Sequence, residues 1–383
     1  MRLPVSRAGL FRLAGRLAAG PNTDAVLRRI VVVKADHLGD VLLASPALNA
    51  LRRHFPTACI TLAVGPRSAE LARRLPDVDQ VVVIPFPGLD RRTQPGAVRR
   101  WALLLRVAQR WHGQFDAGLL LRDDYYWGAM LLAAARIPLR LGTAFPLCAP
   151  FLTRTVPPAR QWPAAAQHQH VLGLLIGDGP SPVHWSPADR LRFAPHDAAA
   201  DAARCRRQAG LERAEPYLLL HPGAGAPVKL WTAENWALVL RALHARTGRR
   251  TLVVAGAGEQ HLTAPIVRLA GGAAIGLPAA PNLDLLSALL HGADLVLGAD
   301  NGPLHLAVAL DVPSVRLYGP VDPVIYGPWG DSQRHRWVAS RMLCAPCARL
   351  DWDALALPWH PCVRRIDPAE VVTAAIMALA APG

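Results

Sequence analysis

The chain has 383 residues, of which 52% are hydrophobic and 18% are charged, and its formal net charge is +14. A chain of this length accommodates two domains of ordinary size, and its hydrophobic content excludes a disordered protein. No uninterrupted apolar run reaches the roughly 18 residues needed to span a bilayer, so we predict no transmembrane helix.

The positive charge is concentrated in the N-terminal part of the chain. Residues 1–150 contain 21 Lys and Arg against 10 Asp and Glu, whereas the remaining residues contain 21 against 18. Nucleic acid, an anionic membrane surface and a phosphorylated glycolipid would each fit this asymmetry. The simpler alternative is that an arginine-rich surface raises the pI of the protein and that the protein binds no acidic partner.

Residues 1–27 are predicted to form a basic N-terminal extension. Leu10, Leu13 and Leu17 fall on one helical face, and the first 20 residues carry four arginines and no acid. These features indicate a basic amphipathic helix that lies on an anionic membrane, or else a frayed extension.

Nine short apolar runs, most of them rich in β-branched residues, predict strands. They are Ile30–Val33, Ile60–Val64, Val81–Ile84, Ala117–Leu121, Tyr217–Leu220, Thr251–Ala255, Ala273–Leu277, Leu295–Gly298 and Ser314–Leu317. Helical patterns alternate with them over Val41–His54, Pro95–Trp111, Thr232–Arg246, Leu283–His291, Pro303–Leu310 and Pro368–Leu379. This alternation predicts an α/β fold of parallel sheets joined by crossover helices.

The Pro-rich, weakly periodic stretch Gly177–Pro195 is the predicted linker between two domains. We therefore place an N-terminal domain at residues 28–185 and a C-terminal domain at residues 186–365. Residues 366–383 are predicted to form a terminal helix that packs back on the first domain.

The segment from Ile30 to Leu43 runs from an apolar strand through a turn with one glycine into a helix. The chain has neither the G-x-G-x-x-G of dinucleotide-binding turns nor the G-x-x-x-x-G-K-[ST] of P-loops, which argues against both classes. Asp40 stands where the helix starts, at the sheet edge where ligands collect. It is either a helix cap or a general base that takes a proton from an attacking hydroxyl.

Three loops of small residues follow strands in the second half of the chain. The first contains a lysine, the second contains a glutamate, and the third opens a helix with a proline. Backbone amides, a helix N-terminus and a lysine suit an anionic phosphate, and an acid suits a ribose hydroxyl. Each loop alone could be an ordinary connection, but together they predict a nucleotide-sugar pocket. The residues of this predicted donor site are Gly223, Gly225, Lys229, Glu259, Asp300, Asn301, Gly302, Pro303, Leu304 and His305.

Three of the six cysteines lie near the C terminus, in the order C-x2-C and then His-Pro-Cys. Cys344, Cys347, His360 and Cys362 could bind zinc tetrahedrally, but a single C-x2-C is half of the usual signature. Free thiols are also expected in a cytosolic protein, so we predict no metal site.

The most specific motifs are Lys34–Pro46, Val64-Gly-Pro-Arg67, His221-Pro-Gly-Ala and Asp300-Asn-Gly-Pro-Leu-His305. In these motifs the sequence resembles glycosyltransferase family 9, the heptosyltransferases of the lipopolysaccharide inner core, over roughly residues 28–380. The resemblance implies a GT-B fold, in which two Rossmann-like domains with parallel sheets face each other across a cleft. It also implies inversion at the transferred sugar carbon without a metal or cofactor.

The resemblance further implies a role for each matched residue. Asp40 corresponds to the general base, Lys229 to the lysine near the donor phosphates, and Asp300 to the acid near the transferred sugar. Glu259 is the implied ribose partner, and the helix start at 302–305 is the implied phosphate holder. The residues predicted on the acceptor side are Lys34, His37, Arg67 and Arg122, although the turn at 35–37 and the segment from Arg122 depart from the family pattern.

We therefore expect an inverting, metal-independent glycosyltransferase that moves a heptose from ADP-heptose to a lipopolysaccharide core or a related anionic glycolipid. The acceptor is expected on the basic first domain, and the enzyme is expected to be peripheral on the cytoplasmic face of the inner membrane. One alternative is another nucleotide-sugar enzyme of GT-B type, with a different donor or with epimerase or hydrolase activity. A non-catalytic basic binding protein is the other, although no nucleic-acid motif occurs and no nucleic-acid partner is expected.

Overall fold

The computed structural model describes residues 27–89, 96–177, 186–212, 215–277, 280–352 and 355–382. The predicted N-terminal extension lies outside these residues except for its last position, as does much of the predicted linker. The chain divides into two compact units, Met1–His184 and Trp185–Gly383. Among the described helices, none combines the length and the apolar character that crossing a bilayer requires.

The first unit is a parallel sheet with helices on both faces. Its strands are β1 (Arg29–Val33), β2 (Cys59–Val64), β3 (Gln80–Val83), β4 (Ala117–Leu120), β5 (Leu139–Thr143) and β6 (Arg154–Val156). Its helices are α1 (Leu38–Leu42), α2 (Ser45–His54), α3 (Ala69–Ala72), α4 (Ala97–Trp111), α5 (Tyr126–Ala134) and α6 (Ala164–Ile176), with short 3-10 turns at Pro66–Ser68 and Ala149–Phe151.

The second unit repeats this architecture. Its strands are β7 (Tyr217–His221), β8 (Arg250–Val253), β9 (Ala274–Gly276), β10 (Leu295–Ala299), β11 (Ser314–Tyr318) and β12 (His335–Ala339). Its helices are α7 (Ala199–Gln208), α8 (Ala233–Thr247), α9 (Gln260–Ala270), α10 (Leu283–His291), α11 (Gly302–Ala309), α12 (Pro323–Tyr326) and α13 (Pro368–Leu379), with 3-10 turns at Pro187–Asp189, Pro227–Lys229, Gly271–Ala273 and Leu357–Trp359.

Both sheets have the same strand order. The first is β3-β2-β1-β4-β5-β6 and the second is β9-β8-β7-β10-β11-β12, with every pair parallel. This is the doubly wound Rossmann order, in which successive connections change direction beside the first strand. The central strands β7 and β10 are buried and, apart from Tyr217 and His221 at the two ends of β7, apolar, as expected for a sheet covered on both faces. The α/β prediction is thereby confirmed.

All nine predicted strands are present, but the predicted single helix over Val41–His54 is wrong. The chain forms α1 and α2, separated by a turn at Leu43 and Ala44. Pro46 lies in the first turn of α2, where its missing amide hydrogen is tolerated. In one continuous helix the same proline would remove a hydrogen bond and clash with the preceding turn.

The terminal helix α13 packs in the core of the second unit, and its predicted return to the first domain stays a prediction. Val371, Ala375 and Ala378 are buried in the core that also contains Leu240 and Val315. These small side chains recur at helical spacing on one face of α13. Their size allows the helix to approach the strands and α8 closely, so its burial is satisfied within its own unit.

Buried histidines, among them His168, His221 and His335, make the stability of the fold depend on pH. His168 lies in α6 and its Nδ1 is 3.1 Å from the Leu43 carbonyl oxygen, to which it donates in the neutral ring. Burial, reinforced by the positive charge of Lys34, lowers the pKa of His168 to about 3. Burial likewise lowers the pKa of His221 and of His335 to about 4.

The free energy of unfolding should therefore fall as the pH is lowered from about 6.5 towards 4. In this window the unfolded chain binds protons that the folded chain does not, which costs about 1.4 kcal/mol per pH unit for each histidine. Urea unfolding at several pH values measures the slope. We expect a shallower slope for His168→Gln and the wild-type slope for His112→Gln, a change at an exposed position. Equal slopes for both variants would contradict the assignment.

Candidate functional site

The predicted donor residues of the second unit lie at the place where its strand order reverses. β7 and β10 are neighbours in the sheet, with Leu220 opposite Leu297 and His221 opposite Gly298. The chain leaves β7 into the loop that ends at Lys229, and it leaves β10 directly into Asp300. Ligands of doubly wound sheets bind in the crevice at this carboxyl edge, because the connecting helices diverge there.

A buried ion pair joins these two loops. The Lys229 Nζ lies 2.7 Å from Asp300 Oδ2, and the two side chains are 13% and 10% exposed. The ammonium group enters the site from the 3-10 turn after β7. Because each charge is largely withdrawn from water, each depends on the other for its stabilisation. The pair therefore fixes the position of a positive charge at the carboxyl edge of the sheet.

Arg316 is a central residue of this site that the sequence analysis did not identify. It lies in β11, is fully buried, and its Nη1 is 3.9 Å from Asp300 Oδ1. The same Nη1 donates to the Tyr318 hydroxyl at 3.1 Å. Within the described residues its Nε and Nη2 find no hydrogen-bond partner. Asp300 thus stands between two cations, and a buried guanidinium adds to the positive potential of the site.

His305 does not face outwards as a phosphate donor. It is buried in α11, and its Nε2 accepts a hydrogen bond from the Arg316 Nη1 at 2.9 Å. Burial, together with the positive charges of Arg316 and Lys229, lowers the pKa of His305 well below its usual value. The ring is therefore neutral, and it orients the guanidinium.

Asn301 connects the start of α11 to the loop after β7. Its amide nitrogen donates to the Gly223 carbonyl oxygen at 2.6 Å and to the His221 Nδ1 at 3.0 Å. Its Oδ1 accepts from the Leu304 amide at 3.2 Å, so Asn301 is the N-cap of the helix. One of the amides predicted for phosphate is therefore already used. The positive end of the helix stays at the carboxyl edge, beginning at Gly302.

Glu259 lies between the loop after β8 and the loop after β7. Its Oε2 accepts from the Gly256 amide at 3.1 Å. It also lies against Gly223, where any side chain would overlap the carboxylate. Glu259 is half-buried and stands just before α9. Gly225 is exposed, and Pro303 is the second residue of α11.

The first unit has a matching charged cluster where β1 and β4 are neighbours. Lys34 is buried, with its Nζ 2.9 Å from Asp36 Oδ2 and 3.0 Å from the Leu121 carbonyl oxygen. Arg122, which follows β4, hydrogen-bonds to the other oxygen of Asp36. Burial alone would raise the pKa of Asp36, but the charges of Lys34 and Arg122 outweigh it and lower the pKa to about 2. Asp36 was not predicted as a site residue.

Asp40 is not the cap of its helix. His37 occupies the N-cap position of α1, and Asp40 lies in the first turn, partly exposed. The capping alternative is therefore wrong, and an acidic side chain in the first turn interacts favourably with the positive end of the helix dipole. Arg67 is exposed in the 3-10 turn at 66–68. The Ser68 hydroxyl of the same turn donates a hydrogen bond to the Asp36 carbonyl oxygen at 2.9 Å, which connects the turn to the segment before α1.

The composition contains a signal for both clusters. Only two of the 42 cationic residues are lysines, Lys34 and Lys229. Each follows the first strand of its sheet and forms a buried pair with an aspartate. An ammonium is a compact point charge, whereas a guanidinium is a wide planar fork, so the two are not equivalent in a confined site. In a chain that uses arginine almost everywhere else, the two lysines therefore point to these two clusters.

The C-terminal cysteines and His360 lie in different environments. Within the described ranges, no three His, Cys, Asp or Glu side chains come together as ligands. Cys344 and Cys347 are exposed, whereas Cys362 is buried. His360 instead stacks on Trp352, with ring centroids 3.3 Å apart.

Comparison with known proteins assigns the chain to a family. The profile of glycosyltransferase family 9 (heptosyltransferase) matches residues 104–351. The lipopolysaccharide heptosyltransferase 1 of Pseudomonas aeruginosa is 28% identical over 84% of this chain and 86% of its own length. The enzyme of the same name from Salmonella typhimurium is 26% identical over 80% and 92%.

Solved structures agree on the fold. A glycosyl transferase family 9 structure from Veillonella parvula has a TM-score of 0.74 at 23% identity, over 92% of this chain and 97% of that one. E. coli heptosyltransferase WaaC with ADP has a TM-score of 0.60 at 23% identity, over 81% and 93%. Since the family profile covers more than half of its length, the chain belongs to glycosyltransferase family 9, the heptosyltransferases.

Proposed function

We propose that the protein is an inverting glycosyltransferase that moves a heptose from ADP-heptose to a lipopolysaccharide core or a related anionic glycolipid. Similarity to two lipopolysaccharide heptosyltransferases over at least 80% of the chain supports the reaction class. The observation that carries the donor assignment is the Lys229–Asp300 pair beside the start of α11. A fixed cation and a helix N-terminus are the groups that a nucleoside diphosphate needs.

We assign donor binding to the second unit. Lys229 would bind the diphosphate, helped by the positive end of α11 and by the buried charge of Arg316. Asp300 would orient Lys229 and accept a hydrogen bond from the transferred sugar. Glu259, which lies against Gly223, would accept from the ribose. Acceptor binding is assigned to the first unit and its positions Lys34, His37, Arg67 and Arg122, with Asp36 holding two of these cations in place.

In the proposed reaction, the Asp40 carboxylate takes the proton of the acceptor hydroxyl. The hydroxyl oxygen forms a bond to the anomeric carbon while the bond from that carbon to the diphosphate oxygen breaks. The configuration at the carbon inverts, and ADP leaves with the bonding electron pair. Lys229 and the helix end stabilise the charge that develops on the leaving oxygen, so the proposed step uses no metal ion.

The experiment that tests this function offers the full chain a panel of nucleotide sugars together with a deacylated lipopolysaccharide core, with and without EDTA. Mass spectrometry should show the core gaining one heptose from ADP-heptose, equally in EDTA. Transfer from another donor would correct the sugar. Conversion of the nucleotide sugar without acceptor would replace the proposal with an epimerase or a hydrolase. Loss of transfer in EDTA would overturn metal independence.

Asp40→Asn should lower kcat by about 10²–10⁴-fold and leave ADP affinity unchanged, because it removes a proton acceptor without touching the donor site. Product formation and calorimetric titration with ADP measure the two effects. The matched control is Glu70→Gln, an exposed acid on the same unit, which should keep full turnover. An Asp40→Asn enzyme with wild-type kcat would remove Asp40 from the reaction.

Lys229→Met should weaken ADP binding by about tenfold or more, because a charge-assisted hydrogen bond to the diphosphate is lost. The control is Lys34→Met, which removes the other lysine of the chain, from a comparable buried pair, and should leave ADP affinity unchanged. Urea unfolding confirms that both variants are folded. Wild-type ADP affinity in Lys229→Met would exclude a direct contact with the phosphates.

A further inference from the structure

Helix α4, over Ala97–Trp111, has two apolar faces, of which only one is covered. Leu104, Val107 and Trp111 are buried against the first sheet. On the other side Val98, Trp101 and Leu105 are 82%, 47% and 64% exposed. Residues at spacings of three and four lie along one stripe of a helix, so these three side chains form a continuous strip. An exposed apolar strip bordered by polar residues is typical of an interaction site.

A basic ridge lies beside this strip. Arg99, Arg106 and Arg110 are exposed and follow the edge of the strip at helical spacing. Together with Arg100 they give the helix four arginines and no carboxylate. Of the acids in the described ranges, none forms an ion pair with these three exposed guanidinium groups. The charge of the ridge is therefore directed at solvent or at an external partner.

The apolar strip and the basic ridge together indicate which kind of partner α4 binds. An apolar strip that contains a tryptophan, bordered by arginines, has the composition of helices that lie in the headgroup region of a bilayer. The apolar side chains reach the acyl boundary, and the guanidinium groups bind lipid phosphates. A second copy of this chain would bring two arginine ridges together, which the like charges oppose. The excess of 21 Lys and Arg over 10 Asp and Glu in residues 1–150 acts in the same direction.

We propose that α4 docks the protein on the surface of an anionic phospholipid bilayer, with Val98, Trp101 and Leu105 inserted and Arg99, Arg106 and Arg110 on the lipid phosphates. This inference rests on the proposed function insofar as a glycolipid acceptor resides in such a surface. It assigns the membrane contact to a folded helix of the first unit rather than to the segment before residue 27.

The test is sedimentation of the full chain with vesicles of phosphatidylcholine alone or mixed equally with phosphatidylglycerol. The wild type should bind the anionic vesicles and be released by salt. Trp101→Ser combined with Leu105→Ser should lower the partition coefficient by about tenfold, and so should Arg99→Glu combined with Arg106→Glu. All four positions are exposed, so folding should be unaffected.

Matched controls lie on the second unit. The apolar control is Leu238→Ser combined with Trp337→Ser. Trp337 is as exposed as Trp101. Arg364→Glu with Arg365→Glu supplies the charge control at exposed positions. Both controls should bind anionic vesicles as the wild type does. Equal loss in the controls, or no loss in the α4 variants, would overturn the assignment of the surface to α4.

Two further outcomes separate this inference from the proposed function. If α4 is a docking surface, its variants should transfer sugar normally to a deacylated acceptor in solution and more slowly to an acceptor in vesicles. Absence of transfer by the wild type to either acceptor would remove the proposed function while leaving vesicle binding intact. A dimer in light scattering that Trp101→Ser dissociates would show that a second copy covers the strip, and would overturn the lipid assignment.

Discussion

Each unit depends on one topological constraint, the reversal of strand order beside its first strand. The connection from the first strand runs to one side of the sheet and the connection from the fourth runs to the other. Two adjacent strands therefore end without a helix packed directly over the gap between them. Most of the remaining interior of the sheets is covered and apolar. Charged groups at this gap lie near the interior and can still contact a ligand. The charged clusters of both units lie there.

These clusters also account for the charge of the molecule. The first unit is strongly basic, but Lys34 and Arg122 are both engaged by Asp36, and Arg122 is also paired with Asp124. The local excess of positive charge in the predicted acceptor region is therefore smaller than the residue count of 1–150 indicates. The surplus lies largely on the surface, including the ridge of α4. Net charge describes the attraction of the protein to an acidic partner, whereas binding selectivity depends on which cations are already paired.

The sequence was sufficient to predict the alternating α/β pattern, because central parallel strands are continuous apolar runs. It was not sufficient for β5 or for the edge strands β6 and β12. β5 contains Arg140, which is buried only because its guanidinium donates to the backbone carbonyl oxygens of Ile137 and Phe151. β12 is an edge strand with a mixed composition. A strand whose charged residue is buried by tertiary hydrogen bonds, or a mixed strand at a sheet edge, lacks the hydrophobic periodicity by which strands are recognised in a sequence.

The same reasoning separates the site residues that could be predicted from those that could not. The helix start at 302–305 follows from strand, turn and proline within a few residues. Asp36 and Arg316 gain their meaning from partners distant in the chain: 86 positions separate Asp36 from Arg122. In the sequence, Arg316 looks like an ordinary polar position of a strand. Its complete burial, and the use of its Nη1 by His305, are tertiary facts.

The scarcity of lysine has a practical consequence. Apart from the chain terminus, the protein has two primary amines, and each lies beside the first strand of a unit in contact with an aspartate. Guanidinium groups keep their protons and do not compete as nucleophiles at neutral pH. Amine-directed acylation followed by peptide mass analysis would therefore report on two positions alone. The rate at which each amine is modified would show how often its ion pair opens, and it would do so in the unaltered chain.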